Sequence, residues 1–127
     1  MPLPQLLVVD DEEFFSTFLR ERFEERGYSV ATAGDAHAAL AFVSDSTGPL
    51  VVLLDLMLPV VSGIQVLREL SSSPRAPYIR AVLVSAHHTV LAAAASHPLV
   101  VGRMQKPVDL GELITLVAGA MADITEP

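Results

Sequence analysis

The chain has no cysteine and no tryptophan, and a single lysine among its 127 residues. Without cysteine there are no disulfides, no thiolate nucleophile and no sulfur ligands for a metal, which fits a reducing compartment and leads us to expect a cytoplasmic protein. Positive charge is also scarce: eight Lys and Arg against fifteen Asp and Glu leave a formal net charge of −7. That balance argues against direct nucleic-acid binding, which needs a basic face to neutralise phosphates. No apolar run approaches the ~18 residues of a spanning helix, so no membrane insertion is expected. The opening Met-Pro-Leu-Pro-Gln lacks the basic and then apolar regions of a secretory signal. There is no internal repeat and no Gly/Ser linker or block of like charge, so residues 1–127 read as one domain. With 51% apolar and only 18% charged residues, there is ample material for a core.

Apolar runs recur at Leu6 to Val9, Tyr28 to Ala33, Leu50 to Leu54, Arg80 to Val84 and Leu99 to Met104, giving strands near 5–10, 28–33, 50–55, 80–85 and 99–104. LLVV, VVLL and AVLV are continuous rather than alternating, as in strands buried on both faces of a parallel sheet. Between them lie helical periods. The first places Phe15, Phe18, Leu19 and Phe23 on one stripe and stops at Gly27. The second follows Asp35, with Ala36, Ala39, Leu40 and Val43 together. The third opens with Ser62 and Gln65 at capping-box spacing. An alanine-rich helix spans His88 to Ser96, closed by Pro98, and the last opens at Asp109 with Glu112 three residues on. The stretch Ser71 to Pro77 is a loop. Five β-α units in series predict an α/β fold: a parallel sheet of right-handed crossovers with helices on both faces.

Ligands of such sheets bind beyond the carboxyl ends of the strands. Those ends carry Asp10, Asp11, Glu12 and Glu13 after the first run, Asp55 after the third, Ser85 after the fourth and Lys106-Pro107 after the fifth. If the first and third strands are neighbours, Asp10, Asp11 and Asp55 crowd together and call for a cation; hard oxygen donors of this kind suit Mg²⁺. Asp11 can also cap the first helix, while Glu12 and Glu13 simply favour its positive end. Asp55 sits in apolar sequence, where a carboxylate is costly unless paired or metal-bound, so a structural salt bridge stands beside a chemical role. Pro59 ends the strand region and Gly63 permits a tight turn into the third helix. Lys106 suits a phosphate oxygen or a carboxylate, or a plain surface position. Ser85 alone could merely begin a loop.

Taken together, LLVVDDEE, LLDLMLPVVSG, VLVSA and QKP resemble the receiver domain of two-component response regulators, a likeness that covers essentially the whole chain. The resemblance implies a flavodoxin-like, doubly wound (βα)5 fold with strand order 2-1-3-4-5. It implies that Asp55 accepts a phosphoryl group from a histidine kinase or phosphotransfer protein. It also implies that Asp10, Asp11, Asp55 and the backbone carbonyl of Met57 organise Mg²⁺, and that Ser85 and Lys106 hold phosphoryl oxygens. Such a domain is not a conventional enzyme, although it assists its own phosphorylation and dephosphorylation. Its output would pass to a downstream protein or output domain through the fourth helix, fifth strand and fifth helix, a face that also offers a homodimer contact.

Several positions depart from the family pattern. Arg103 stands where receivers often carry a switching aromatic, three residues before the lysine, so the coupling would be polar. Val61-Ser62-Gly63 replaces the usual MDG. Met57 and His87, two residues beyond Asp55 and Ser85, border the path of the hydrolytic water, with Ala86 between Ser85 and His87; a bulky Met57 that cannot orient water predicts a long-lived acyl phosphate. His37, His88 and His97 read as surface residues. A haloacid-dehalogenase-type phosphatase would need a second acid at Met57, and a flavin or nucleotide binder would need a phosphate-cradling loop where four acids stand. The rival that survives is a pseudo-receiver, a docking module of the same fold that is never phosphorylated. Met1 and the tail Asp123 to Pro127 suggest a stand-alone protein.

Overall fold

In the computed structural model, residues 3–124 are described; Met1 and Thr125 to Pro127, on which the stand-alone expectation leaned, lie outside them. The chain runs β1 (Gln5–Val9), α1 (Glu13–Glu24), β2 (Ser29–Ala33), α2 (Ala36–Asp45), β3 (Leu50–Asp55), α3 (Gly63–Ser71), a 3-10 turn (Ala76–Tyr78), β4 (Ile79–Ser85), α4 (His88–Ala94), β5 (Val100–Gln105) and α5 (Leu110–Asp123). All pairings are parallel and the strand order is β2-β1-β3-β4-β5. The α/β, doubly wound arrangement expected from the sequence is therefore the one observed, with strand limits moved by one residue at five of the ten ends and unchanged at the others.

Period-two alternation divides the core. Leu7, Val9, Val52, Leu54 and Leu83 face α2, α3 and α4, packing with Ala39, Val43, Val66, Leu67 and Leu91. Leu6, Val8, Val51, Leu53 and Val84 face α1 and α5, packing with Leu19, Phe23, Leu113 and Val117. All six residues of β3 are buried because both faces and both edges are covered. The edge strands β2 and β5 mix buried and accessible residues instead.

Three local expectations are corrected. Phe18 is exposed and the small Ser16 takes the buried place between Asp10 and the core, because Ser16 can also bond the carbonyl of Asp10 (3.3 Å). Asp11 does not cap α1: the N-cap is Glu12, without a side-chain cap bond, and Asp10 Oδ1 accepts from the Glu12 amide at 2.8 Å. Gly63 does not make a turn by its own backbone; the positive φ (67°) is at Val60. Its requirement is close approach: a Cβ there would lie 2.6 Å from the Asp55 carbonyl and 2.7 Å from Leu56 Cα. The start of α3 thus rests directly on the end of β3. Elsewhere, the Ser71 to Pro77 stretch starts on the last residue of α3 and runs into the 3-10 turn, and Arg75 anchors it by donating to Ser46 Oγ and to the carbonyl of Gly48. The alanine-rich helix ends at Ala94, earlier than Ser96.

Candidate functional site

The site forms where β1, β3, β4 and β5 end. Val9 pairs with Leu54, so the next residues, Asp10 and Asp55, emerge side by side. Asp55 in turn pairs with Val84, which places Ser85 one residue further along the rim. Between β4 and β5 the register shifts, Ala81 facing Val100 but Val82 facing Gly102. That irregularity skips Val101, leaves Gln105 opposite Ser85, and lets the Lys106 amide donate to the Ser85 carbonyl at 2.8 Å. Gly102 belongs to the same adjustment, since a Cβ there would press on Leu116 Cδ2 at 3.2 Å. The lysine is aimed at the acids by strand register before its side chain is considered.

Lys106 Nζ lies 2.8 Å from Asp10 Oδ2, 2.9 Å from Glu12 Oε1 and 3.2 Å from Asp55 Oδ2. The Phe15 ring lies 4.6 Å away, giving the ammonium a cation–π neighbour. The other oxygens of the buried acids are held by backbone: Asp10 Oδ1 by the Glu12 amide and Asp55 Oδ1 by the Met57 amide at 2.9 Å. Asp10, Asp11 and Asp55 each present a carboxylate oxygen within 4.8 Å of the others. Asp11 is exposed, at the mouth of a cleft of about 220 Å³ that it shares with Asp10, Glu13 and Thr32.

Charge at the site is unbalanced, with four carboxylates around one ammonium. Burial pushes the Asp10 carboxyl above its ordinary pKa; the hydrogen bonds from Lys106 and the Glu12 amide oppose this but do not cancel it, and Asp55 adds repulsion. Burial alone would lower Lys106, yet its bonds to Asp10 and Glu12 and the charges of Asp10 and Asp55 outweigh that and hold the ammonium above its usual range. Lys106 is thus held firmly charged, and the charge of Asp10 is incompletely compensated. A further cation has something to gain here. The donor set is three hard carboxylate oxygens with one exposed side for water, which fits Mg²⁺.

Ser85 is fully buried and its Oγ accepts from the His87 amide at 3.2 Å. Ala86, His87 and Met57 are exposed around the rim, and Arg103 is exposed on β5 opposite Leu83. The structure therefore brings Asp10, Asp11, Asp55 and Lys106 into one cluster, with Ser85 on its α4 side. Sequence reasoning missed Glu12, which it read as a helix-end charge. No local signal marked it, because the partner that gives it a role, Lys106, lies 94 residues away.

A parallel sheet of this order with five helices, and acids and a lysine gathered at its carboxyl rim, is an arrangement of the flavodoxin-like, CheY-like class. The match to the family model of the response regulator receiver domain over residues 6–118 is decisive, and the chain belongs to that family. It is 28% identical over its full length to the DNA-binding transcriptional regulator NtrC of Azospirillum brasilense, covering 26% of that protein. It is 31% identical over 92% of its length to the transcriptional regulatory protein TrcR of Mycobacterium tuberculosis, covering 45% of that protein. The chain thus spans about a quarter of the length of the NtrC relatives it matches. Among solved structures, the response regulator TrrA of Thermotoga maritima, determined with Mg(2+)-BeF, superposes with TM-score 0.78 at 27% identity, over 93% of this chain and 99% of that one. A CheY-like receiver from Methanospirillum hungatei shares the fold at TM-score 0.86 and 20% identity, over 95% of each chain. The chain is a receiver domain of the two-component type. Among the described residues no helix is long and apolar enough to cross a membrane.

Proposed function

We propose that Asp55 is a phosphoacceptor, loaded by a histidine kinase or phosphotransfer protein. The observation that carries this is the placement of its carboxylate: the end of a fully buried strand, 3.2 Å from Lys106 Nζ and clustered with Asp10 and Asp11. In the transfer, an Asp55 oxygen bonds to phosphorus as the phosphorus–nitrogen bond of phosphohistidine breaks, and the electron pair leaves with the imidazole nitrogen. Such a transfer asks mainly for positioning and charge neutralisation. Asp10, Asp11 and Asp55, with the Met57 carbonyl, would hold Mg²⁺, which neutralises phosphoryl charge when bound. Lys106 supplies the second cation, and the Ser85 hydroxyl donates to a phosphoryl oxygen. The Mg(2+)-BeF in the related TrrA structure supports this assignment. The protein on this reading is cytoplasmic and acts as a switch rather than a conventional enzyme. It signals through α4, β5 and α5, with Ala86, His87 and Arg103 on that side, to a downstream protein or output domain. The same face would serve a homodimer.

The test is incubation with Mg²⁺ and acetyl phosphate followed by intact mass. One added phosphoryl group is expected, absent from Asp55→Asn and absent without Mg²⁺; no adduct on the wild-type chain would make it a docking module instead. Met57 sharpens the reading. Its thioether is exposed at the mouth and donates no hydrogen bond, so it cannot orient an attacking water. Met57→Asn should shorten the lifetime of the acyl phosphate by about tenfold, followed as loss of label from Asp55, and an unchanged lifetime would remove Met57 from the hydrolytic path.

A further inference from the structure

We propose that Gln105 is a positioning residue that links the Ser85 hydroxyl to β5 through a single peptide group. Ser85 Oγ accepts from the His87 amide at 3.2 Å. The carbonyl at the other end of that same peptide belongs to Ala86, and it accepts from Gln105 Nε2 at 3.3 Å. A trans peptide is a rigid plane whose N–H and C=O point in opposite directions, and the 86–87 bond is trans. Ser85 and Gln105 therefore hold its two ends, and a rotation of the plane alters both bonds together. The carbonyl of Ser85 is bonded by the Lys106 amide at 2.8 Å. The next peptide is thus the first that can turn without disturbing the strand ladder that aims Lys106. Register decides that the residue on β5 is Gln105. Met104 is buried on the α5 side of the sheet, so Arg103 and Gln105 face the α4 side by strand alternation. Arg103 stands opposite Leu83, two residues short of the rim, whereas Gln105 stands opposite Ser85. The polar coupling expected at Arg103 falls to Gln105.

The link takes its trigger from the phosphoacceptor reading of Asp55, on which it rests. There the Ser85 hydroxyl turns to donate to a phosphoryl oxygen, and the peptide that donates to its oxygen either follows or loses a bond. Both changes reach Gln105 through the Ala86 carbonyl. The sequence makes this measurable, because it has no asparagine and only three glutamines, Gln5, Gln65 and Gln105. A ¹⁵N spectrum therefore holds three side-chain NH2 pairs, and the Gln105 pair is the one missing from Gln105→Leu. Gln5 donates to the Thr47 carbonyl at 2.7 Å and serves as a bonded reference at the far end of the sheet, and the exposed Gln65 as a solvated one. In the resting protein the Gln105 pair should exchange with water about threefold more slowly than the Gln65 pair, the scale of one net hydrogen bond. Equal exchange would mean that the tether does not exist. Mg²⁺ with beryllium fluoride should shift the Gln105 pair and leave Gln5 unmoved, and Ser85→Ala should abolish that shift. A shift that survives in Ser85→Ala would show that the signal does not begin at the hydroxyl. The backbone amide of Arg103 should shift too, and Gln105→Leu, which keeps the bulk but removes the donor, should lose most of that shift. If Gln105→Leu retains it, the signal travels along the main-chain bond from Lys106 to Ser85 and Gln105 is not the link. A Gln105 pair unmoved in the wild type overturns the link alone where acetyl phosphate still adds one phosphoryl group, and both readings where it adds none.

Discussion

The two helices that flank β5 are held very differently. α5 has fourteen residues, an Asp109 carboxylate that caps the Glu112 amide at 2.9 Å, and Leu113, Val117 and Ala120 buried against the sheet. Arg80 ties its far end by a 2.8 Å bond to Asp123. α4 has seven residues, no side-chain cap at His87, and only Leu91 and Ala94 buried. A helix of two turns is marginal without tertiary support, so α4 is the natural low-stability unit. The difference follows the chemistry. Lys106 lies between β5 and α5 and must keep its aim, whereas Ser85, which leads into α4, has to turn its hydroxyl hydrogen toward a phosphoryl oxygen. The same Ser85 oxygen accepts from the amide of His87, the N-cap residue of the weaker helix, so a reoriented hydroxyl is passed directly to the start of α4.

The largest effects expected from this contrast are core truncations. Leu113→Ala should cost about 3–4 kcal/mol of global stability, and Leu91→Ala about 2 kcal/mol, because α4 can relax or open around the lost side chain. Urea unfolding measures both. Equal costs would break the contrast, since they would show α4 to be as integral to the core as α5.

What could be read from the sequence follows the same division. The continuous runs of β1, β3 and β4 disclosed a sheet buried on both faces, and the residue after each run disclosed the rim, because strand direction alone fixes which end is functional. Asp109 with Glu112, and Ser62 with Gln65, were legible as helix starts since the cap is a local bond between residues three apart. Glu12 was not, because its partner Lys106 is 94 residues away and nothing in α1 distinguishes a ligand from a helix-end charge. Gly63 was misread for a related reason: what it touches is the carbonyl of Asp55, a contact made by folding and not by spacing. Phe18 was misplaced because helical periodicity counts apolar residues, whereas the inner position went to Ser16, whose hydroxyl satisfies a buried carbonyl.

The smaller predictions probe the helix ends. Asp109→Ala removes the α5 cap and should cost about 1 kcal/mol, read as a lower urea midpoint with unchanged slope. The converse change is His87→Ser, which offers α4 the side-chain acceptor it lacks. The gain should be about 0.5 kcal/mol, too small for global unfolding to resolve if α4 opens locally. Amide exchange resolves it: protection of residues in α4 should rise about twofold, the equivalent of that gain, while protection in α5 stays the same. Beryllium fluoride with Mg²⁺ then supplies the second half of the comparison. In the wild type it should alter exchange in α4 and leave α5 unmoved, and in His87→Ser the response of α4 should shrink, because a better-capped helix gives up its resting position less readily. Protection that changes in α5 instead would place the moving element on the other side of β5.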